Sequence, residues 1–415
     1  MSDARERPGG AAGPAARRPH ALAGVALHPA ERRAVGALAA IYAARMLGLF
    51  LLLPVLALYA GDLPGATPLL VGLAVGAYGL TQACFQIPFG MLSDRLGRRP
   101  IITVGLVLYG AGSLWGAAAV GIWGVIGARM LQGAGAVSGP VAALLADLTR
   151  SEVRTRAMAL IGISIGGAFI VSLIGAPPLQ TAIGVHGIFR IMAALAALSV
   201  LLLYAVVPLP RAVGAAPRAS APPEAAHAFA GPLLPYYFGV FALNLVLTAT
   251  FVGVPHALRD TLGIELHEHW ATYLGTFVAS LAGTVPLIVW TERSGAPDLV
   301  MRYGIALLVL AQGALAFAYG HYFGLCAALA AFFAAFNYLE ARLPARLSQM
   351  AGPASRGAAL GVFATAQFLG AFAGGMTGGM LYGSRLGLVG VFGGASLAAL
   401  AWLLLYRPKP APRGP

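Results

Sequence analysis

The sequence predicts an all-α membrane protein with twelve transmembrane helices in two six-helix pseudo-repeats and both termini cytoplasmic. Three observations carry this. Of 415 residues, 59% are hydrophobic and only 10% charged, against about 25% charged in soluble domains. Twelve apolar stretches reach the ~20 residues needed to span a bilayer. With the N-terminus in the cytoplasm, most Lys and Arg residues fall in cytoplasmic tails and loops or at cytoplasmic helix ends, the positive-inside pattern. That distribution also argues against nucleic acid as the reason for the net charge of +13.

Residues 1–33, rich in Arg, Ala, Pro and Gly, read as a disordered cytoplasmic tail. They are no secretory signal, because the first apolar run starts too late and runs too long. Segment one (34–60) carries Arg45 about eleven residues in, ~16 Å at 1.5 Å per residue, and Pro54, which kinks or ends it. Segment two (69–92) places Gln82 and Gln86 on one face and holds Pro88. A charged turn follows, Gly90-Met-Leu-Ser-Asp94-Arg95-Leu-Gly97-Arg98-Arg99. Segments three (100–120) and four (122–146) come next; four carries Arg129, Gln132 and Pro140 and ends at Asp147. Segments five (157–177) and six (187–208) complete a bundle over 34–208. Residues 209–231, polar and Pro/Ala-rich, form a cytoplasmic linker.

The second bundle, 232–406, has segments at 232–254 (with Asn244), 271–291 (with Pro286), 299–319, 322–341 (with Asn337 and Glu340), 358–382 (with Gln367 and a run of glycines) and 386–406. A short cytoplasmic tail, 407–415, remains. Cys84 and Cys326 lie inside apolar segments and read as small buried hydrophobes. The halves echo each other: Pro88, Asp94, Arg95 and Gly97 recur in the same spacing as Pro286, Glu292, Arg293 and Gly295. Arg-Ala-Met-Ala-Leu at 156–160 likewise answers Arg-Gly-Ala-Ala-Leu at 356–360. A duplicated six-helix unit explains both matches.

The turn Gly90–Arg99 resembles the signature G-x-L-a-D-r-x-G-r-k of the major facilitator superfamily. Arg129-Met-Leu-Gln132-Gly133-Ala-Gly135-Ala136 is similar to a second signature, R-x-x-Q-G-x-g-a. The stretches from Arg45 and Tyr78 resemble the drug:proton antiporter branch, YajR-type, and the likeness covers about residues 31–406. One departure is Gly175-Ala176-Pro177-Pro178, which stands where antiporters often carry Gly-Pro. The resemblance implies a secondary active transporter of a small molecule in the cell inner (cytoplasmic) membrane, multi-pass and working by alternating access. Proton-coupled efflux leads. Proton-coupled uptake or uniport of a small neutral or anionic solute, and a non-transporting receptor or scaffold, stay open. The expected partners are a small-molecule substrate, protons and the lipid bilayer, with the chain monomeric.

Gly90, Asp94, Arg95, Gly97, Arg98, Arg99 and Asp147 are the candidates for a conformational latch. The glycines permit close approach, and Asp94 suits the unpaired N–H groups at a helix N-terminus. Family likeness points to the start of helix eleven, near Arg356. Topology alone is the competing reading. Arg45, Gln82, Gln86, Arg129, Gln132, Asn244, Asn337, Glu340 and Gln367 are the substrate and proton cavity candidates, since polar groups inside a bilayer are costly and face cavities or partners. The arginines could equally be satisfied by neighbouring carbonyls or by Gln132, and Glu340 either carries a proton or pairs with Arg342 or Arg346. A cationic cavity would prefer neutral, zwitterionic or anionic cargo. Glu265-Leu-His267-Glu-His269-Trp lacks the H-E-x-x-H spacing and reads as a solvated loop. No enzyme constellation, metal set, cofactor motif or nucleotide loop is expected.

Overall fold

The computed structural model describes residues 27–208, 231–351 and 355–407. The expected tail through residue 26, the linker over 209–230 and the tail from 408 lie outside the described residues. The first half comprises α1 (Pro29–Leu52), α2 (Leu56–Gly61), α3 (Pro68–Leu96), α4 (Arg98–Ala118), α5 (Ile122–Ala134), α6 (Ser138–Asp147) and α7 (Ser151–Ala205). The second comprises α8 (Leu234–His256), α9 (His269–Arg293), α10 (Pro297–Ala318), α11 (Tyr322–Met350), α12 (Arg356–Tyr382) and α13 (Gly387–Leu405). Among the described residues, 10 helices are long and apolar enough to cross a membrane. Val107, Leu201, Leu310 and Leu397 stand exposed on them, a surface suited to hydrocarbon rather than water. Cys84 also faces outward rather than inward.

Local chemistry sets the helix ends. α1 starts at Pro29, ahead of the apolar run expected from 34. Proline there fixes a helical φ without losing a needed N–H, and the Glu31 carboxylate accepts from the His28 N–H at 2.9 Å. Arg150 grips the same carboxylate at 2.9 Å, tying the start of α1 to that of α7. Two expected segments are interrupted. Pro54 sits in the break between α1 and α2. Gly135 sits between α5 and α6, where Gly133 presses on the Tyr78 carbonyl and Gly135 on the Gly105 carbonyl.

α7 runs through the gap expected between segments five and six, yet it reverses direction. The Ser172 hydroxyl donates to the Leu47 carbonyl at 2.9 Å, and Met192 packs at Gly48. Twenty residues of straight helix would separate those partners by ~30 Å, not by one residue of α1. The turn is Gly184, at φ 69° and ψ 170°, a backbone shape that glycine adopts readily.

Each half has its own apolar core, and each lends side chains to the other: Phe169 and Leu173 of α7 join the second core, Val252 of α8 the first. Arg98 meets Asp147, Arg150 meets Glu31 and Arg346 meets Asp298 at one end of the molecule, the basic end. Away from it, α3 and α12 lie backbone to backbone. Gly72 abuts Gly375 and Gly379, Gly76 abuts Phe372, and Gly79 abuts Phe368; such small-residue seams let membrane helices approach closely. Toward the basic end the same helices part, and Gly90, Gly357 and Gly361 have nothing within 4 Å of a would-be Cβ. Gly162, Gly166 and Gly167 on α7 are equally open, whereas Phe169, two residues on, is buried against Phe50 at 5.1 Å between ring centres. The halves are closed on each other at one end and splayed at the basic end.

Candidate functional site

Polar side chains gather at four places. The first is inside the first bundle. Arg45 lies midway between Pro29 and Gly61 and is only 3% exposed. Its guanidinium donates to the Tyr78 hydroxyl at 2.6 Å, Gln82 Oε1 at 2.6 Å, the Ser138 hydroxyl at 3.1 Å and the Gly135 carbonyl at 3.2 Å. That carbonyl lies in the break between α5 and α6, where it also accepts from the Val137 N–H at 2.9 Å. Gln82 passes its amide on to Gln86 Oε1 at 3.0 Å. Arg129, also 3% exposed, stacks 4.9 Å from the Tyr78 ring centre and donates to Gln132 Oε1 at 3.0 Å. Gln132 in turn donates to Ser113 at 2.9 Å. Both guanidinium groups thus rest on dipoles and a π face. Neither forms a carboxylate pair among the described residues, and the Nε–H of each is buried without a partner.

The second place is in the second bundle. Gln367 Nε2 on α12 donates to Glu340 Oε1 on α11 at 2.8 Å. Glu340 Oε2 and, one turn back, Asn337 Nδ2 are buried without partners. Glu340 therefore pairs with neither expected arginine. Arg346 is taken by Asp298 at 2.5 Å; it lies six residues on, about one and two-thirds turns, and Arg342, two residues on, points to another face. Asn244 donates within its own helix to the Val240 carbonyl at 3.1 Å, and among the described residues no hydrogen bond carries it to another helix. Between these two places, Tyr78 of α3 meets Phe368 of α12 edge-on, ring centres 6.3 Å apart.

The third place is the charged turn. Gly97 takes φ 94° there. Arg98 bridges Asp94 at 2.5 Å and Asp147 at 3.3 Å, joining α3, α4 and α6, with the Ser93 hydroxyl accepting at 2.7 Å. Arg99 lies 5.8 Å from the Tyr204 ring centre, and Arg95 is exposed. Asp94 is 52% exposed in its side chain, and among the described residues it makes no hydrogen bond or ion pair with the start of α12. Gly90 faces open space in this state rather than the close neighbour expected of it.

The fourth place went unread in the sequence. After α8 the chain makes one π turn, Ala257–Thr261, and groups His256, Arg259 and Asp260 with Tyr382 of α12 and with Asp62, next after α2. The only signal was His256 and Asp260 at i, i+4 spacing, which on its own is common. Tyr78, the platform under both arginines, was also missed; it shares the face of Gln82 and Gln86, one turn earlier.

The sequence profile described as the Major Facilitator Superfamily matches residues 38–275. The inner membrane transport protein YajR of Escherichia coli (strain K12) is 40% identical over 385 residues, covering 90% of this chain and 83% of that protein. An uncharacterized transporter of Buchnera aphidicola subsp. Acyrthosiphon pisum (strain APS) is 32% identical over 338 residues, 80% of this chain and 85% of that one. Among solved structures, the nucleoside transporter NupG superposes with a TM-score of 0.69 at 15% identity, covering 92% of this chain and 100% of that one. That likeness is one of fold.

Proposed function

Because the chain belongs to the major facilitator superfamily and is a membrane transporter of that type, we propose that it moves a small molecule across the cytoplasmic membrane by alternating access, exchanging it for protons in the direction of efflux. The observation that carries this reading is the uneven seam between α3 and α12, jammed glycine on glycine at one end and parted at the basic end. A secondary transporter caught in one of its two states would look like this, its halves rocking about a central site.

Twelve crossings follow if α7 counts twice, because it reverses at Gly184, and the broken pair α5–α6 counts as one. The positive-inside rule then assigns the basic end and both termini to the cytoplasm. The state described is open to the cytoplasm. Asp94, Arg98 and Asp147 form a latch at rest, and docking of Asp94 on the start of α12 would belong to the opposite state.

Glu340 is the proton carrier in this reading. An anionic carboxylate with one oxygen unpartnered inside a membrane helix is costly, and a proton removes the charge. Two buried arginines in one half and one carboxyl in the other favour neutral, zwitterionic or anionic cargo over lipophilic cations. The drug:proton antiporter signatures favour efflux.

The test is reconstitution in liposomes holding an internal pH dye, with substrates of each charge class added in turn. A substrate-evoked proton movement is expected. Glu340→Gln should abolish it while keeping the amide contact to Gln367 and the fold. Unchanged proton movement in Glu340→Gln removes this residue as the carrier, and strong saturable efflux of a quaternary ammonium dye refutes the charge preference.

A further inference from the structure

The fourth polar cluster lies at the end of the molecule where the two halves are closed. His256, 7% exposed in its side chain, ends α8 with Nδ1 2.9 Å from Asp260 Oδ2. A carboxylate only accepts, so Nδ1 carries the hydrogen and donates. Asp260 Oδ1 accepts from Arg259 Nε at 2.7 Å. Arg259 also reaches across to the first half, its NH1 3.7 Å from Asp62 Oδ2. Tyr382 of α12 covers the imidazole with its ring, centres 4.3 Å apart and 22° from parallel, and its hydroxyl donates to Asp260 Oδ2 at 3.4 Å. His269, at the start of α9, is turned away from this cluster and donates Nε2–H to the Ile264 carbonyl at 3.1 Å.

These groups do not balance. Asp62 and Asp260 bring two negative charges, Arg259 brings one positive charge, and a neutral His256 leaves the cluster one positive charge short. We propose that His256 is a proton-binding site at the outer mouth, and that its proton clasps the mouth shut. With His256 protonated, Asp260 is served by the imidazolium and Arg259 is free to hold Asp62. When the mouth opens, Asp62 leaves with the first half. Arg259 and Asp260 then neutralise each other on the second half, and the proton on His256 becomes the excess charge. Proton binding and closure therefore favour each other, and the coupling is reciprocal. Tyr382, which covers the imidazole, belongs to the same half and moves with it, so the departure of Asp62 sets the sign: closure is gained as the medium falls through the imidazole range and is lost as it rises through it. The site is distinct from Glu340, and the proposal rests on the alternating-access reading only in requiring that this mouth can open.

The experiment places spin labels at Gly61→Cys and Gly320→Cys, both exposed positions where an added side chain meets nothing within 4 Å, after Cys84 and Cys326 are replaced by alanine. Distances across the mouth are then read by double electron–electron resonance in the full-length protein in nanodiscs, from roughly pH 5 to 8. The closed-to-open ratio should fall on the order of tenfold over that rise. His256→Gln, whose amide can still donate to Asp260, should flatten the response. Asp62→Asn, at a residue 73% exposed in its side chain, tests the charge balance without disturbing the core and should flatten it too. A pH response surviving unchanged in both variants overturns the proposal. So does a parent that populates both distances with no pH dependence, which leaves alternating access standing. A single short distance under every condition, including in the Gly375→Ala protein, would instead bring down alternating access itself.

Discussion

A methyl group at Gly375 should break the closed seam. A Cβ built there meets the Gly72 carbonyl oxygen at 2.6 Å, the Gly76 nitrogen at 2.7 Å and the Gly76 Cα at 2.8 Å. Ordinary contact begins near 3.4 Å, so the shortfall is about 0.6–0.8 Å. The atoms in the way are backbone, so no rotamer relieves the clash and α3 and α12 must separate. Overpacking of this kind costs about 1–3 kcal/mol, or about 5- to 150-fold in the balance between closed and open. The helix-propensity gain of alanine over glycine, about 1 kcal/mol, applies to both states and cancels. Gly375→Ala should therefore lengthen the Gly61–Gly320 label distance, and uptake of substrate into proteoliposomes should slow because one state is penalised. Gly393→Ala on α13, where a Cβ meets nothing within 4 Å, is the control. Identical distance distributions in Gly375→Ala and the parent would mean that the glycine seam does not hold this end shut.

Two further substitutions separate structure from conformational control. Arg45→Lys should lower thermal stability by on the order of 3 kcal/mol, because a point ammonium cannot serve four dispersed acceptors; the melting temperature in detergent should drop, whereas the exposed Arg302→Lys leaves it alone. Asp94→Asn should shift stability by no more than about 1 kcal/mol, since its pair with Arg98 is half open to solvent, yet transport should stop because the latch acts in the other state. Full transport by Asp94→Asn would reduce the charged turn to a marker of topology.

What could be read from the sequence was whatever depended on bulk properties. Apolar run length located the helices, because the bilayer sets one length for all of them. The charges of the turn could be grouped as well: Asp94, Arg98 and Asp147, named together as latch candidates, meet in the structure. What escaped depended on tertiary contact. The fourth segment breaks at Gly135 and not at Gly133, although both glycines lie against backbone of a neighbouring helix, and no local signal separates the two. Glu340 turned to an amide on another helix because the face it shares with Asn337 points toward α12, while both arginines downstream occupy other faces. Asp62, Arg259 and Tyr382 come from parts of the chain that only the fold makes neighbours.

The pairing of Arg45 and Arg129 with dipoles alone has an electrical consequence. Two positive charges are fixed inside one half, without fixed negative charges beside them, and they travel wherever that half travels. An elementary charge crossing the full membrane field is worth about 2.3 kcal/mol per 100 mV. If rocking carries both arginines through roughly a tenth of that field, the balance between states shifts by about 0.5 kcal/mol, about twofold. The resting potential of the cell would then bias which way the protein faces even with no substrate bound, and a neutral cargo would still be moved by a voltage-sensitive machine.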